Sequence, residues 1–450
     1  MKIVIIGAGN AGRLLAKRLC SEERFSVVMV DPDEAALALA QESLDVMTVC
    51  GSGSDPAVLA QAETEKADIV VAVTNSDETN ILACLFAHAG GVPRKIARVG
   101  SSQYQRGLAR YDLGKMGIDL VINQKTACAE EICRALALPG SIESFDLFEG
   151  RASVVGFEVG QDSPIIGLTP ATLPDRELLG RIRIIAIRRG DGLIIPRGDT
   201  VFACDDAVYL VGAPDDIRAF SVWMNPGLTP FVKVIVGGGG DIGLAVARTM
   251  ESWGLDVVLM ERDKERALYC SGELRRTMVL NADALAASAL DDAGVVPRTA
   301  FVGVTGDDED NVMNCLMARK RGVDFTITQI GRTDYIPAVE TLGVVDRIIS
   351  PFESLTHGIL HYLRSRNVRA AAIIHNMPGE LLDIQVSAQN RYLGIPFKDV
   401  RFPRDAIVAV VLRGDDVIPA TGEMTLDADD RMLVFSHPSA VRKIQDMFRR

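Results

Sequence analysis

One glycine fingerprint occurs twice in this chain. Gly7-Ala8-Gly9-Asn10-Ala11-Gly12 and Gly238-Gly239-Gly240-Asp241-Ile242-Gly243 lie 231 residues apart in a sequence of 450. A second string repeats at the same offset: Val73-Thr74-Asn75-Ser76-Asp77-Glu78-Thr79-Asn80 against Val304-Thr305-Gly306-Asp307-Asp308-Glu309-Asp310-Asn311. Two dissimilar strings sharing one offset mark a duplicated unit. The glycines also restrict the fold around them. The first allows a tight strand-to-helix turn, the second lets backbone approach a pyrophosphate, and the third lets helix and strand pack closely.

The flanking sequence supplies that context. Lys2-Ile3-Val4-Ile5-Ile6 is a short apolar run of the kind found in buried parallel strands, and a helical pattern follows from about Gly12 to Leu19. Strands are expected at Val27–Val30, Val46–Cys50, Ile69–Val73 and Ile96–Val99, with a helix at about Glu78–Ala89 capped by Ser76 or Asp77. A further helix, Thr126–Leu138, stops at Pro139-Gly140. Such alternation predicts an α/β fold with a doubly wound, Rossmann-like parallel sheet.

From about residue 143 to 222 the character changes. Ser153–Val159, Ile182–Arg188 and Asp206–Val211 are short strand patterns, separated by turn clusters such as Gly190-Asp191-Gly192. After the linker Asn225-Pro226-Gly227-Leu228-Thr229-Pro230 the Rossmann pattern restarts at Val232. The stretch Ala406–Leu412, Arg413-Gly414-Asp415, Val417-Ile418-Pro419 then parallels Ile184–Arg188, Arg189-Gly190-Asp191, Ile194-Ile195-Pro196. The expected order is therefore two Rossmann-like domains, each followed by a small α+β domain, with boundaries at 1–125, 140–225, 231–352 and 369–450.

The candidate ligand is NAD(H). A pyrophosphate at a helix N-terminus meets free N–H groups and the positive end of the helix dipole. Asp31 and Glu261 end the second strand of each unit, where a carboxylate can accept from both ribose hydroxyls and would repel a 2′-phosphate. In the first unit the candidate contacts are Gly7, Ala8, Gly9, Asn10, Ala11, Asp31, Gly51, Ser52, Val73, Thr74 and Arg98. Arg98 ends its strand at the edge where phosphates would lie. In the second they are Gly238, Gly239, Gly240, Asp241, Ile242, Glu261 and Thr305. Gln329 takes the place of Arg98, and Asn281-Ala282-Asp283 is read as replacing Gly51-Ser52-Gly53, so the second site is expected to bind differently or more weakly.

Other chemistries find little support. With 48 Lys and Arg against 60 Asp and Glu, the net charge of −12 opposes sequence-independent nucleic-acid binding and loose docking on anionic lipid. Eight scattered cysteines form neither Cys-x-x-Cys pairs nor a disulfide scaffold, as expected of a reducing cytosol. Met1-Lys2 leads straight into a strand, so no secretory leader is expected, and no apolar run reaches the roughly 18 residues of a membrane span. His357 and His361 have i, i+4 spacing but lack a zinc-hydrolase glutamate, and read as an ordinary helix face. No catalytic acid/base, Gly-x-Ser-x-Gly elbow or Walker phosphate loop stands out, so no catalytic or metal residue is expected. A dinucleotide fold without catalytic equipment points to sensing, in which ligand occupancy shifts a conformational equilibrium. The alternatives are a soluble NAD-dependent oxidoreductase and a cytosolic nucleotide or redox sensor with another partner.

Gly7–Gly12, Asp31, Ala72–Asn80 and Ile96-Ala97-Arg98-Val99 resemble the RCK/KTN domains that regulate potassium conductance. The α+β modules resemble the companion RCK C-terminal domain, and the tandem order over the whole chain resembles the TrkA family of Trk-type bacterial potassium uptake. This resemblance implies a cytoplasmic, non-enzymatic subunit, peripherally attached to the inner face of the plasma membrane and partnered with a membrane-embedded potassium-translocating Trk subunit. It also implies a homo-oligomer, dimer or tetramer, sensitive to NAD(H) and to ATP against ADP.

Overall fold

The computed structural model describes residues 1–20, 25–101, 111, 114–190, 192–225, 230–365, 372–373, 379–414 and 416–448. Most of the Asn225–Pro230 linker, Asp191, Asp415 and the side chain of His361 fall outside the described residues.

The first Rossmann-like lobe alternates strand and helix. Its elements are β1 (Lys2–Ile6), α1 (Asn10–Cys20), β2 (Ser26–Asp31), α2 (Glu34–Ser43), β3 (Met47–Cys50), α3 (Pro56–Gln61), β4 (Ile69–Ala72), α4 (Asp77–Ala89), β5 (Arg94–Arg98), β6 (Leu120–Ile122) and α5 (Gln124–Ala137). All ladders are parallel, in the order β3-β2-β1-β4-β5-β6. That order reverses between β1 and β4, the switch point where α/β sheets open a crevice at their carboxyl edge. Val4, Ile6, Val28, Val30, Val70 and Ala72 from the central strands pack with Ile81, Cys84 and Ala87 of α4. Strands buried on both faces need such continuous apolar runs.

A small antiparallel module follows: β7 (Ser141–Leu147), β8 (Ala152–Glu158), α6 (Arg176–Arg181), β9 (Ile182–Arg189), β10 (Gly192–Ile194), β11 (Ala207–Gly212) and α7 (Pro214–Met224). Its sheet runs β10-β9-β11-β8-β7. The second lobe then repeats the first with β12 (Lys233–Gly237), α8 (Asp241–Ser252), β13 (Asp256–Met260), α9 (Lys264–Glu273), β14 (Met278–Leu280), α10 (Ala287–Ala293), β15 (Thr299–Gly303), α11 (Asp308–Lys320), β16 (Phe325–Gln329), α12 (Ile336–Leu342), β17 (Arg347–Ile349) and α13 (Pro351–Ser365). Its order, β14-β13-β12-β15-β16-β17, reproduces the switch point. The last module holds β18 (Ala372–Ile373), β19 (Glu380–Gln385), β20 (Ala406–Arg413), β21 (Asp416–Pro419), β22 (Arg431–Ser436) and α14 (Val441–Phe448).

Like modules group with like. One compact unit contains residues 1–133 and 231–362, and the other 134–230 and 363–450. Within the first unit, Ser354 of α13 donates to Glu131 of α5 at 2.6 Å. A Cβ on Gly358 of α13 would stand 2.5 Å from Ile122 of β6, so that glycine lets α13 lie directly on the first lobe. Within the second unit the two antiparallel modules share a core. Val154, Ile185, Tyr209 and Val211 from the first pack with Leu381, Ile407, Ala409, Leu433 and Phe435 from the second.

Candidate functional site

The glycine loops sit at the switch point of each lobe. Gly7 closes β1 with φ +112°, a conformation L-residues rarely adopt. A Cβ there would lie 3.1 Å from the Thr74 amide nitrogen, so the loop abuts the carboxyl end of β4. A Cβ on Gly12 would stand 1.8 Å from the Gly7 carbonyl oxygen, so the helix can follow the strand this closely only with hydrogen at that position. The second lobe repeats both demands at Gly238, φ +117°, and at Gly243, whose Cβ would be 1.9 Å from Gly238 O. Gly9 precedes Asn10 and Ala11 at the start of α1, as Gly240 precedes Asp241 and Ile242 at the start of α8. The loop therefore feeds directly into a helix N-terminus in both lobes, the arrangement that accommodates phosphate.

The acidic residues bind their own loops. Asp31 accepts from Ala8 N–H at 2.6 Å through Oδ2 and from Asp33 N–H at 2.9 Å through Oδ1. Glu261 does the same with Gly239 N–H and Asp263 N–H, both at 2.8 Å. These bonds hold each carboxylate beside its glycine loop at the end of the second strand.

The repeated Thr…Asn string builds the opposite wall. Asn80 and Asn311 are fully buried. Asn80 accepts from the Thr74 N–H and hydroxyl at 2.9 and 2.7 Å, and its amide donates to Thr74 O and Arg98 O. It thus ties the end of β4 to the end of β5. Asn311 repeats the pattern with Thr305 and Gln329. Ser76 caps α4 by accepting from Thr79 N–H, while Asp77 holds the next loop through Gly100 and Ser101 N–H. In the second lobe Asp307 caps α11 and Asp308 holds Gly331 and Arg332.

Not every expected contact is aimed as the sequence suggested. Arg98 turns back on the Thr74-Asn75 corner, donating to Asn75 Oδ1 at 3.1 Å; burial lowers its guanidinium from the ordinary value, against a smaller pull from Asp77. The Val73 N–H is spent on Ile6 O inside the sheet, so this residue offers only its carbonyl side of the strand end. Ser52 faces Ser54, hydroxyl to hydroxyl at 2.8 Å.

The register after the third strand differs from the sequence reading. Gly51 N–H donates to Asp31 O, and in the second lobe it is Ala282 N–H that donates to Glu261 O. Asn281 therefore stands in the place of Cys50, Ala282 in that of Gly51, and Asp283 in that of Ser52. Shape explains why a glycine is dispensable here. In the first lobe a Cβ on Gly53 would strike Ile6 Cγ2 at 2.1 Å, whereas the strand residue opposite Ala284 is Gly237, whose space is taken by Phe301. Asn281 instead donates to Glu261 O and Arg262 O and fixes the end of β13.

Two basic residues absent from the sequence reading reach the second loop. Arg266 on α9 donates to Gly239 O at 2.7 Å and to Asp241 Oδ1 at 3.1 Å. Lys125, in the first turn of α5, reaches across from the first lobe and meets Asp241 Oδ2 at 2.7 Å. The Lys125 ammonium holds the Asp241 carboxyl below its usual range; partial burial opposes it and Arg266 reinforces it. In the first lobe the corresponding loop position is Asn10, which accepts from Arg13 at 3.0 Å. Among the described residues no cluster of metal-ligating side chains occurs.

The model of the TrkA-N domain matches residues 3–124 and 234–351, and that of the TrkA-C domain matches 154–225 and 381–449. The chain belongs to the TrkA family. It is 30% identical over 460 residues to the Trk system potassium uptake protein TrkA of Azorhizobium caulinodans, covering 100% of this chain and 99% of that one. Its identity to the TrkA protein of Halomonas elongata is 31% over 455 residues, covering 100% and 98%. Solved RCK structures share the fold. The GsuK RCK domain superposes with TM-score 0.60 at 19% identity, over 99% of this chain and 94% of that one. The GsuK channel bound to NAD superposes with TM-score 0.61 at 18% identity, over 99% and 78%. This TrkA-family chain thus carries the TrkA-N and TrkA-C pair twice. Among its described residues no helix is long and apolar enough to cross a membrane.

Proposed function

We propose that this TrkA-family chain is a nucleotide-responsive regulatory subunit that gates a membrane potassium-uptake partner. Its relatives along the full length are named as potassium uptake proteins, and a structural relative is an NAD-bound channel. The observation that carries the ligand reading is the first lobe's arrangement. A glycine loop, a helix N-terminus and Asp31 converge at the switch point, with Asp31 2.6 Å from Ala8 N. Such a crevice accommodates the ADP moiety common to NAD(H), ATP and ADP, with phosphates on the loop and ribose on the carboxylate. The Asp31 charge disfavours a 2′-phosphate, which selects NAD(H) over its phosphorylated form. The proposed contacts are Gly7–Ala11, Asp31, Gly51, Ser52, Val73, Thr74 and Arg98, with Gly238–Ile242, Glu261 and Thr305 in the second lobe.

The gating reading follows from linkage. A ligand shifts a conformational equilibrium only by its difference in affinity for the two states. Each proposed site spans the ends of several strands and two helix N-termini, so occupancy can bias how these elements are held. The subunit is proposed to act as a homo-oligomer, dimer or tetramer, on the cytoplasmic face of its membrane partner, without turning substrate over.

Calorimetric titration of NAD, NADH, ATP and ADP into wild type, Asp31→Ala and Glu261→Ala tests the sites. We expect Asp31→Ala to weaken NAD binding at the first site by about tenfold or more, the worth of one or two charge-assisted hydrogen bonds. Unchanged binding in both variants would overturn the assignment. Steady consumption of NADH with any small carbonyl substrate would favour an oxidoreductase instead.

A further inference from the structure

The second lobe's glycine loop contains something a phosphate site does not need. Asp241 places a carboxylate in the first turn of α8, and both its oxygens carry cations: Lys125 on Oδ2 at 2.7 Å, Arg266 on Oδ1 at 3.1 Å. Arg266 also donates to the loop carbonyl of Gly239 and stacks on Tyr269, 5.0 Å from the ring centroid. The first lobe has no counterpart of this cluster. Asn10 stands in place of Asp241 and Ala36 in place of Arg266, and among the described residues the neutral Asn10 is met by Arg13 of its own helix.

Resting on the nucleotide reading above, we propose that Asp241 is an internal stand-in for phosphate at the second site. The incoming ligand is a nucleoside polyphosphate, whose phosphates displace Asp241 from Lys125 and Arg266 and take over both cations.

Three features support the exchange. A carboxylate beside the loop repels a phosphate unless something neutralises or moves it, and the two cations that hold it are side chains suited to bind the phosphate instead. The cluster is accessible: the side chains of Lys125, Asp241 and Arg266 are 51%, 42% and 31% exposed, so the lock is weak enough to be traded. Lys125 is not a wandering surface chain. Asn123 caps the helix that bears it, accepting from Lys125 N–H at 2.9 Å and Thr126 N–H at 3.1 Å, and Asn123 in turn donates to Gly100 O.

The consequence is coupling between repeats. Lys125 belongs to α5, the helix that leads the chain out of the first lobe toward β7. Occupancy of the second site therefore changes what the first turn of α5 is bonded to. The second site is completed by a residue of the first repeat, which gives the tandem order a chemical role.

The test is ADP titration by calorimetry on the full chain, in an Asp31→Ala background that weakens the first site. Adding Asp241→Asn keeps the shape found at Asn10 and removes the competing anion. We expect ADP to bind roughly tenfold tighter, as one unit charge near a phosphate is worth at this degree of exposure. Adding Lys125→Met or Arg266→Met to that variant should abolish the gain. Binding that first becomes measurable on Asp241→Asn also supports the proposal. Equal or weaker ADP binding by Asp241→Asn, while Glu261→Ala still weakens binding, overturns the lock and leaves the nucleotide reading standing. ADP binding insensitive to both Asp31→Ala and Glu261→Ala overturns both. Hydrogen exchange over residues 125–128 is the second readout. ADP should change it in the Asp31→Ala protein and not in Asp31→Ala/Lys125→Met, and no change in either contradicts the coupling.

Discussion

At the scale of single residues, steric and hydrogen-bond demands at the crevice are sharp. Gly12 has no room for a methyl, whose carbon would lie 1.8 Å from Gly7 O, so Gly12→Ala must push helix from strand. A loss of about 3 kcal/mol in urea unfolding is expected, typical of a clash with backbone. Asn80→Ala leaves the Thr74 N–H and the Arg98 carbonyl without their partner and should cost about 2 kcal/mol. Asn80→Asp keeps the acceptor but loses the donor, and should lie between. The glycines and the two acids were legible because each occupies a position only that chemistry fits. Asn80 was visible as a repeated letter, but its role is not, since nothing in the string says that its amide spans two strand ends. Arg266 and Lys125 were invisible for a plainer reason. Neither has a counterpart in the other repeat, and Lys125 meets Asp241 across 116 positions of sequence. The misread register at Asn281 arose because the third strand ends in different letters in the two lobes, and only the ladder bonds reveal which residues correspond.

At the scale of elements, the antiparallel modules carry the same hairpin device twice. Arg189 forks onto Asp206 at 2.7 and 2.8 Å and reaches Val201 O; Arg413 forks onto Asp430 at 3.0 and 2.8 Å and reaches Thr425 O. Asp206 and Asp430 are buried and also accept from Ala203 and Asp427 N–H, so each pins a loop to the end of a strand. Asp206→Ala should destabilise by about 2 kcal/mol, the cost of orphaning a loop N–H and a half-exposed guanidinium. Asp430 gives a pH signature. Burial alone would raise its carboxyl, but the bonds from Arg413 and from Asp427 N–H outweigh burial and hold it below its ordinary value. A carboxyl depressed by folding stabilises fully above its unfolded pKa and loses that contribution as pH falls through the folded one. Wild type should therefore lose stability below about pH 4, and Asp430→Asn should show a shallower acid limb. Strands β9 and β20 were readable from their repeated apolar runs, and β11 from its short strand pattern. Strands β6 and β17 escaped because three residues carry no period, and β7 because Ser141–Leu147 mixes apolar and polar residues at the end of a helix stop.

At the scale of the whole molecule, the sequence states the order of modules but not their company. The lobes group with each other and the antiparallel modules with each other, although neither pair is adjacent in the chain. The reason is physical. Each antiparallel sheet has one apolar face left over after its own helix is packed, and Tyr209, Ile185, Leu433 and Phe435 on those faces pack into one core shared by the two copies. Duplication thus supplies both a second glycine loop and the surface that the first module needs. Replacing Tyr209 with Ala should loosen this shared core by about 3 to 4 kcal/mol, read as a single transition that lowers both modules together.

The proposed role is tested most directly by potassium uptake in cells lacking their own high-affinity systems and supplied with the matched membrane subunit. Uptake should be restored by the wild-type chain and altered by Asp31→Ala at equal expression. Absence of rescue by the wild type, or rescue indifferent to Asp31→Ala and Glu261→Ala alike, would contradict a nucleotide-responsive regulator.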